Sequence, residues 1–258
     1  VCSTWGNFHF KTFDGDIFYF PGTCNYIFAS NCKSSYEDFN IQIRRTMAEN
    51  ATVITHVIMK LDGTVIELTR GSVLLDNKLI QMPYSHMGVL IERSNNYLKV
   101  SAKLGLTFLW NEQDALLVEL DKKYANQTCG LCGDFNGIPI SNEFISGILV
   151  LVFPFLQYTV THVVDCINCK TSDTSPCISM ILVMYTASIC ETVLTSEAFT
   201  SCNMLVNVQD YIETCIQDLC HCDSSMADFC MCNTFAEYSR QCAHAGGQPL
   251  NWRTSELC

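Results

Sequence analysis

Basic side chains are scarce in this chain of 258 residues: 15 Lys and Arg stand against 26 Asp and Glu, a formal charge of −11, and no basic run occurs. Nucleic acid and anionic membrane are therefore poor partners, and calcium or protons are better ones. Catalytic signatures are missing too. The chain has no Gly-x-Ser-x-Gly elbow, no His-Glu-x-x-His, no phosphate-binding glycine loop and no serine beside an evident base, which speaks against an enzyme. Asp14 and Asp16 imitate a carboxylate pair, but nothing around them points to a substrate, and a calcium role fits them better. Cysteine is absent over one long interval, between Cys32 and Cys129.

Elsewhere sulfur is abundant, with 17 cysteines. That density marks an oxidising compartment, where disulfides reinforce the core. The number is odd, so at most eight internal pairs can form, and at least one thiol is free, bonded to another chain or cut off from its partner. Beginning at Val1 without a signal-type segment, the chain reads as a mature or excised portion of a secreted protein. Two sequons, Asn50-Ala51-Thr52 and Asn126-Gln127-Thr128, are candidate N-glycosylation sites and agree with secretion. Length and a large apolar fraction allow one large or two medium domains.

The cysteine-free interval is rich in strand signals. Val53 to Lys60 and Thr64 to Arg70 flank Asp62-Gly63, a strong hairpin turn, and Val73 to Gln81 is centred on Asp76-Asn77. Val89 to Arg93, Tyr97 to Lys103, Leu106 to Trp110 and Ala115 to Leu120 follow at short spacing. Short strands with frequent turns predict an antiparallel β-sandwich. Near the C-terminus the period changes. Tyr211, Ile212, Cys215, Ile216, Leu219 and Cys220 recur at helical spacing, as do Phe235, Ala236, Tyr238, Ser239 and Cys242, before Ala245-Gly246-Gly247 stops the second helix. These read as short helices stapled by disulfides, so the expected class is mainly β with a smaller α part. Between the regions, Phe144 to Val164 contains no Asp, Glu, Lys or Arg and would pass a hydropathy scan for a membrane span. Its β-branched residues, with Pro154, Gln157, Thr159, Thr161 and His162, favour a buried sheet element, and no membrane span is expected.

Cys129-Gly130-Leu131-Cys132-Gly133-Asp134-Phe135-Asn136-Gly137 carries the most chemistry. Its Cys-x-x-Cys is compatible with a redox pair, with half a zinc site completed by Cys166 and Cys169, or with two separate structural disulfides. The Asp-x-Asn-Gly that follows has the alternating oxygens and bend of a loop able to wrap a hard cation. Cys220-His221-Cys222 and Cys230-Met231-Cys232 also imitate metal ligands, although a disulfide-bonded module explains them more simply. Met and His side chains could hold copper, but no compact cluster of them occurs, and copper is not assigned.

Taken together, Val1-Cys2-Ser3-Thr4-Trp5-Gly6, Thr12-Phe13-Asp14-Gly15, Phe20-Pro21-Gly22-Thr23-Cys24-Asn25-Tyr26 and the Cys129–Gly137 stretch resemble a von Willebrand factor type D domain. The tail from Cys190 through Cys202, Cys215, Cys220, Cys222, Cys230, Cys232 and Cys242 to Trp252-Arg253 and Cys258 resembles the cysteine-eight module that follows such domains. Tyr124 to Thr128 and Tyr238 to Gly247 are most similar to the first D assembly of secreted gel-forming airway mucins. The match omits about Gly147 to Met184, where an apolar interval replaces the polar connection usual in the family.

The resemblance implies a type D domain over 1–165, a linker over 166–189 and a helical cysteine-eight module over 190–258. It implies a Ca2+ site made by Asp14, Asp134, Asn136, the carbonyl of Ile138 and Glu143, with Asn142 as a neighbour. Implied disulfides are Cys2 with Cys132, Cys32 with Cys129, Cys24 with Cys166 or Cys169, Cys177 with Cys220, Cys190 with Cys215, Cys202 with Cys242, and Cys222 with Cys232. Cys230 and Cys258 then remain, with one of Cys166 and Cys169: Cys258 is expected to pair in a following module, and Cys230 to pair with another chain or at a later stage. The function implied is non-enzymatic: a calcium-binding assembly module of a gel-forming mucin, packing against other D assemblies of the same protein and reaching extracellular mucus through secretory granules. His9, His56, His86, His162, His221 and His244 are available as proton sensors for pH-dependent packing. An adhesive or matrix protein of the zonadhesin or tectorin kind is the alternative expectation.

Overall fold

The structure, a computed structural model, describes residues 1–34, 36–48, 51–94, 96–139, 163–165, 188–221, 227–254 and 257–258. They fall into two compact units: Val1–Thr4 with Phe8–Thr171, and Trp5–Asn7 with Ser172–Cys258.

The first unit is built from β1 (Cys2–Trp5), β2 (His9–Lys11), β3 (Ile17–Tyr19), β4 (Asn25–Asn31), β5 (Phe39–Ala48), β6 (Ala51–Leu61), β7 (Thr64–Thr69) and β8 (Ser72–Leu75). It continues with β9 (Lys78–Leu79), β10 (Tyr84–His86), β11 (Val89–Ser94), β12 (Tyr97–Ala102), β13 (Leu106–Trp110), β14 (Leu116–Leu120), β15 (Thr128–Cys129) and β16 (Val163–Asp165). One antiparallel sheet runs β10-β11-β12-β13-β14-β1-β2-β3, and the other β15-β4-β5-β6-β7-β8-β9, with β16 also paired to β4. The strand segments expected from the strand-rich runs and their turn signals fall on β6–β9 and β11–β14. Asp62 at φ +47°, and Asp76 and Asn77 at +47° and +64°, occupy the left-handed turn geometry that short polar side chains tolerate.

Alternation fixes which face is buried. Ile66 and Leu68 of β7 with Phe28, Phe39, Ile41 and Val57 from one sheet, and Leu98 and Val100 of β12 with Leu106, Phe108 and Trp110 of β13 from the other, point into one shared core. Each such side chain contributes roughly 1.5–3 kcal/mol by leaving water. No alternation marks β1, whose four residues are all buried, nor β4, with only one half-buried residue. Strands covered on both faces lose the polar beat. Within the apolar interval, Val163 and Val164 lie in β16, and 144–162, with most of the expected sheet element, lies outside the described residues.

One charged residue is enclosed in this core. In β5, Ile41, Ile43 and Arg45 share the buried phase, and Arg45 is 2% exposed. Its guanidinium donates to Thr4 Oγ1 at 2.7 Å and to the Asp114 carbonyl at 2.8 Å, and it lies over the rings of Phe8 and Phe10. Burial lowers its pKa to about 10, opposed by the charge of Asp114, so it remains cationic at neutral pH. At the β13–β14 turn, Glu112 binds Arg93 and accepts the Gly71 amide, tying the β7–β8 turn of one sheet to the other sheet.

The second unit contains helical residues 188–194 (α1), a 3-10 turn at Glu197–Phe199, α2 (Val208–His221) and α3 (Ala227–His244). The two helices expected from periodicity are α2 and α3, and Gly246, at φ +89°, follows the end of α3. Phe199, Tyr211, Phe235, Tyr238 and Trp252 form its aromatic centre. Trp5 stacks on Tyr211 and donates to Thr234 Oγ1, which donates in turn to Asp218. Cys190–Cys215 and Cys202–Cys242 staple the helices.

The C-terminal pairing corrects the expectation. Cys232 is bonded to Cys258, so the expected Cys222–Cys232 bond is not formed, and Cys258 finds its partner within the chain. The segment after α3 accounts for this: Trp252 packs on Phe199 and Phe235, turning the chain back so that the Cys258 Cα lies 5.7 Å from that of Cys232. Cys230, expected to pair with another chain or at a later stage, is disulfide-bonded. Among the described residues no cysteine is free. The expected pairs of Cys24 with Cys166 or Cys169, and of Cys177 with Cys220, rest on side chains outside the described residues, although Cys24 is disulfide-bonded. Among the described residues no helix is long and apolar enough to cross a membrane.

Candidate metal centre

The Cys129–Gly137 stretch leaves β15 and folds back on β4. Leu131 and Cys132 donate their amides to the Ile27 and Phe28 carbonyls at 3.0 and 2.9 Å, and Thr128 Oγ1 donates to the Gly133 carbonyl at 2.8 Å. Gly130 permits this approach. Its φ is +105°, and a Cβ there would lie 2.8 Å from the Ile27 oxygen and 2.9 Å from the Phe28 oxygen. Gly130→Ala is expected to destabilise the first unit by about 2–3 kcal/mol, from strain plus backbone collision. Thermal melting checks this, and a loss below about 0.5 kcal/mol would mean the loop repositions freely.

Both sulfurs of the Cys-x-x-Cys are committed to different partners. Cys132 is bonded to Cys2, and Cys129 to Cys32. Neither is available as a redox pair or a zinc thiolate, which leaves the structural-disulfide reading.

The oxygen donors arrive from two distant segments. Between β2 and β3 the chain turns tightly: Thr12 donates its amide to the Asp16 carbonyl, Gly15 to the Thr12 carbonyl, and Asp16 to Thr12 Oγ1. This turn presents Asp14. It is held against the loop by the Phe13 amide, 3.0 Å from the Cys132 carbonyl, and by Phe13 packing on Phe135. Asp14 Oδ1 then accepts the Gly137 amide at 2.6 Å, and its Oδ2 the Asn136 amide at 3.2 Å. Asp134 Oδ1 accepts that same Asn136 amide at 3.2 Å, and Asn136 Oδ1 accepts the Ile138 amide at 2.6 Å.

Asp14, Asp134 and Asn136 are thus brought together, 120 or more residues apart in the chain for the first pair, as the Asp14–Asn136 separation of 122 shows. Ile138 is exposed beside them, while Glu143 and Asn142 lie outside the described residues. Among the described residues no group of three or more His, Cys, Asp or Glu converges, so two carboxylates are what these segments offer here. Carboxylate and amide oxygens without sulfur or imidazole suit a hard cation. Lys33, which no motif marks, places its Nζ 3.8 Å from Asp134 Oδ2. Its only sequence signal is its place next to Cys32.

Asn126, the second sequon residue, is exposed at φ +61° and donates its amide to the Phe135 carbonyl. Asn50 lies outside the described residues. Of the histidines, His9 is buried, His56 half-buried, and His86 and His244 exposed, while the side chains of His162 and His221 lie outside the described residues.

Compared with known proteins, residues 2–146 match the model of the von Willebrand factor type D domain, and residues 189–258 that of the C8 domain. The chain is 49% identical to human Mucin-5B over 261 residues, covering 100% of the chain and 4% of the mucin. It is 48% identical to human Mucin-5AC, again over 4% of that protein, and 41% identical to mouse Mucin-2 over 6% of it. The chain therefore spans a small fraction of the relatives it matches.

Proposed function

From the premise that this chain belongs to the von Willebrand factor type D family and carries a C8 domain after its D domain, we propose that it is an assembly module of a secreted gel-forming mucin. Its work is architectural and non-enzymatic. Calcium and disulfides hold the D domain rigid, and its surfaces pack against other D assemblies of the same protein during pH-dependent storage in secretory granules, before release into extracellular mucus. Asn126 and Asn50 carry N-linked glycans.

The observation that supports the calcium reading is the meeting of the Asp14 and Asp134 carboxylates at the one Asn136 amide. Asp14, Asp134, Asn136, the Ile138 carbonyl and Glu143 would hold the ion. Bound there, calcium supplies a divalent charge that ties the β2–β3 turn to the loop after β15, alongside the Cys2–Cys132 bond. Asp14, Asp134 and Asn136 also accept loop amides, which fixes their oxygens relative to the loop backbone.

Calcium at about 100 times its Kd is expected to raise the melting temperature by roughly 5–10 °C over chelator-treated protein, and Asp134→Ala to lose most of that increment. Equal midpoints with calcium and with chelator would remove the ion from this reading. Assembly is tested separately by light scattering: mass is expected to grow on lowering the pH from neutral to about 6 with calcium present, the range in which histidine charges.

A further inference from the structure

Of the four carboxylate oxygens of Asp14 and Asp134, three accept loop amides, namely Asp14 Oδ1, Asp14 Oδ2 and Asp134 Oδ1. The fourth, Asp134 Oδ2, faces the Lys33 ammonium at 3.8 Å. Lys33 follows Cys32 directly, and the Cys32–Cys129 bond anchors its backbone beside the loop. Lys33, Asp14 and Asp134 together carry +1 −1 −1, or −1, half of what Asp14 and Asp134 alone would offer a divalent ion. The Lys33 side chain is 54% exposed, so its four-carbon stem has room to turn towards water.

We propose that Lys33 is an internal counter-ion that sets the calcium affinity of this loop. With no ion bound, its ammonium neutralises Asp134. When calcium binds, the two cations compete for the same carboxylate charge, and the ammonium turns outward. Affinity is thereby held below what the carboxylates would give unopposed, so the loop keeps its ion where calcium is abundant and yields it where calcium falls. This inference rests on the calcium reading of the loop and adds to it the residue that tunes the site.

Calorimetric titration of calcium into chelator-treated protein tests it, comparing wild type, Lys33→Met and Lys33→Arg, each checked for an unchanged circular dichroism spectrum. Lys33→Met is expected to tighten Kd about 3- to 10-fold at an ionic strength of about 0.02 M, shrinking to about 2-fold at 0.15 M as salt screens the ammonium. Lys33→Arg keeps the charge and is expected to stay within about 2-fold of wild type. In chelator, Lys33→Met is expected to melt about 1–2 °C below wild type, a deficit that calcium abolishes. A wild-type Kd left unmoved or weakened by Lys33→Met overturns the proposal alone, the weakening meaning that Lys33 positions Asp134 instead of competing for it. Wild-type protein that binds no calcium overturns the calcium reading and this proposal together.

Discussion

Replacing Cys2 and Cys132 together by alanine is expected to lower the stability of the first unit by about 5 kcal/mol. The bond closes a loop with a sequence separation of 130, and the chain entropy it removes from the unfolded state grows with the logarithm of that length. It joins β1 to the Cys129–Gly137 stretch at Cys132, and both cysteines are fully buried, so the alanines also lose packing. Urea unfolding followed by tryptophan fluorescence should show the midpoint fall by about 2 M, for a slope of about 2–3 kcal/mol/M. A fall under about 0.5 M would mean that other contacts already close this loop. Asp14 is the contact to examine, because its hydrogen bonds to Asn136 and Gly137 close nearly the same circuit. Combining the double cysteine replacement with Asp14→Ala should therefore cost more than the two separate losses added together, since either fastening substitutes in part for the other.

Arg45→Ala is expected to cost the same unit about 4 kcal/mol. Two effects add. The truncation leaves a cavity against Phe8 and Phe10, and it strips a donor from both Thr4 Oγ1 and the Asp114 carbonyl in a place where water does not readily replace it. Arg45→Lys should recover about half: both oxygens are met by the single nitrogen Nη2, which an ammonium can imitate in part, but a lysine lacks the planar guanidinium that lies over Phe8 and Phe10. Arg45→Met fills the volume without the donors and should fall between alanine and wild type. Denaturant midpoints of the three variants measure this order. Alanine and lysine variants of equal stability would show that the hydrogen bonds to Thr4 and Asp114 contribute nothing.

Much of the architecture was legible because it is local. The strands β6–β9 and β11–β14 follow from a beat of two, and their turns from Asp62-Gly63 and Asp76-Asn77, whose short side chains accept left-handed geometry. Helices α2 and α3 follow from helical spacing in the same way. Arg45 was legible in principle: it continues the buried phase of Ile41 and Ile43, yet a charge there reads as a surface residue until Thr4 and the Asp114 carbonyl are seen to meet it. The strands β1 and β4 were not, since burial on both faces removes the alternation by which a strand is recognised.

For the candidate site, the oxygen-rich loop could be read from Asp134-Phe135-Asn136-Gly137, and the tie to Asp14 came only through the family resemblance. Nothing in local sequence relates positions more than a hundred residues apart, or places Lys33 against Asp134. The cysteines show the same division. Their number and crowding determined that this is a disulfide-stapled chain, but whether Cys232 meets Cys222 or Cys258 depended on Trp252 packing against Phe199 and Phe235. Residue type and near neighbours decide strand, helix and turn, because those preferences are set within a few bonds. Sheet order, the buried Arg45, the Cys232–Cys258 bond and the closing of the loop on Asp14 were decided by the packed cores, which alone bring remote segments within reach of one another.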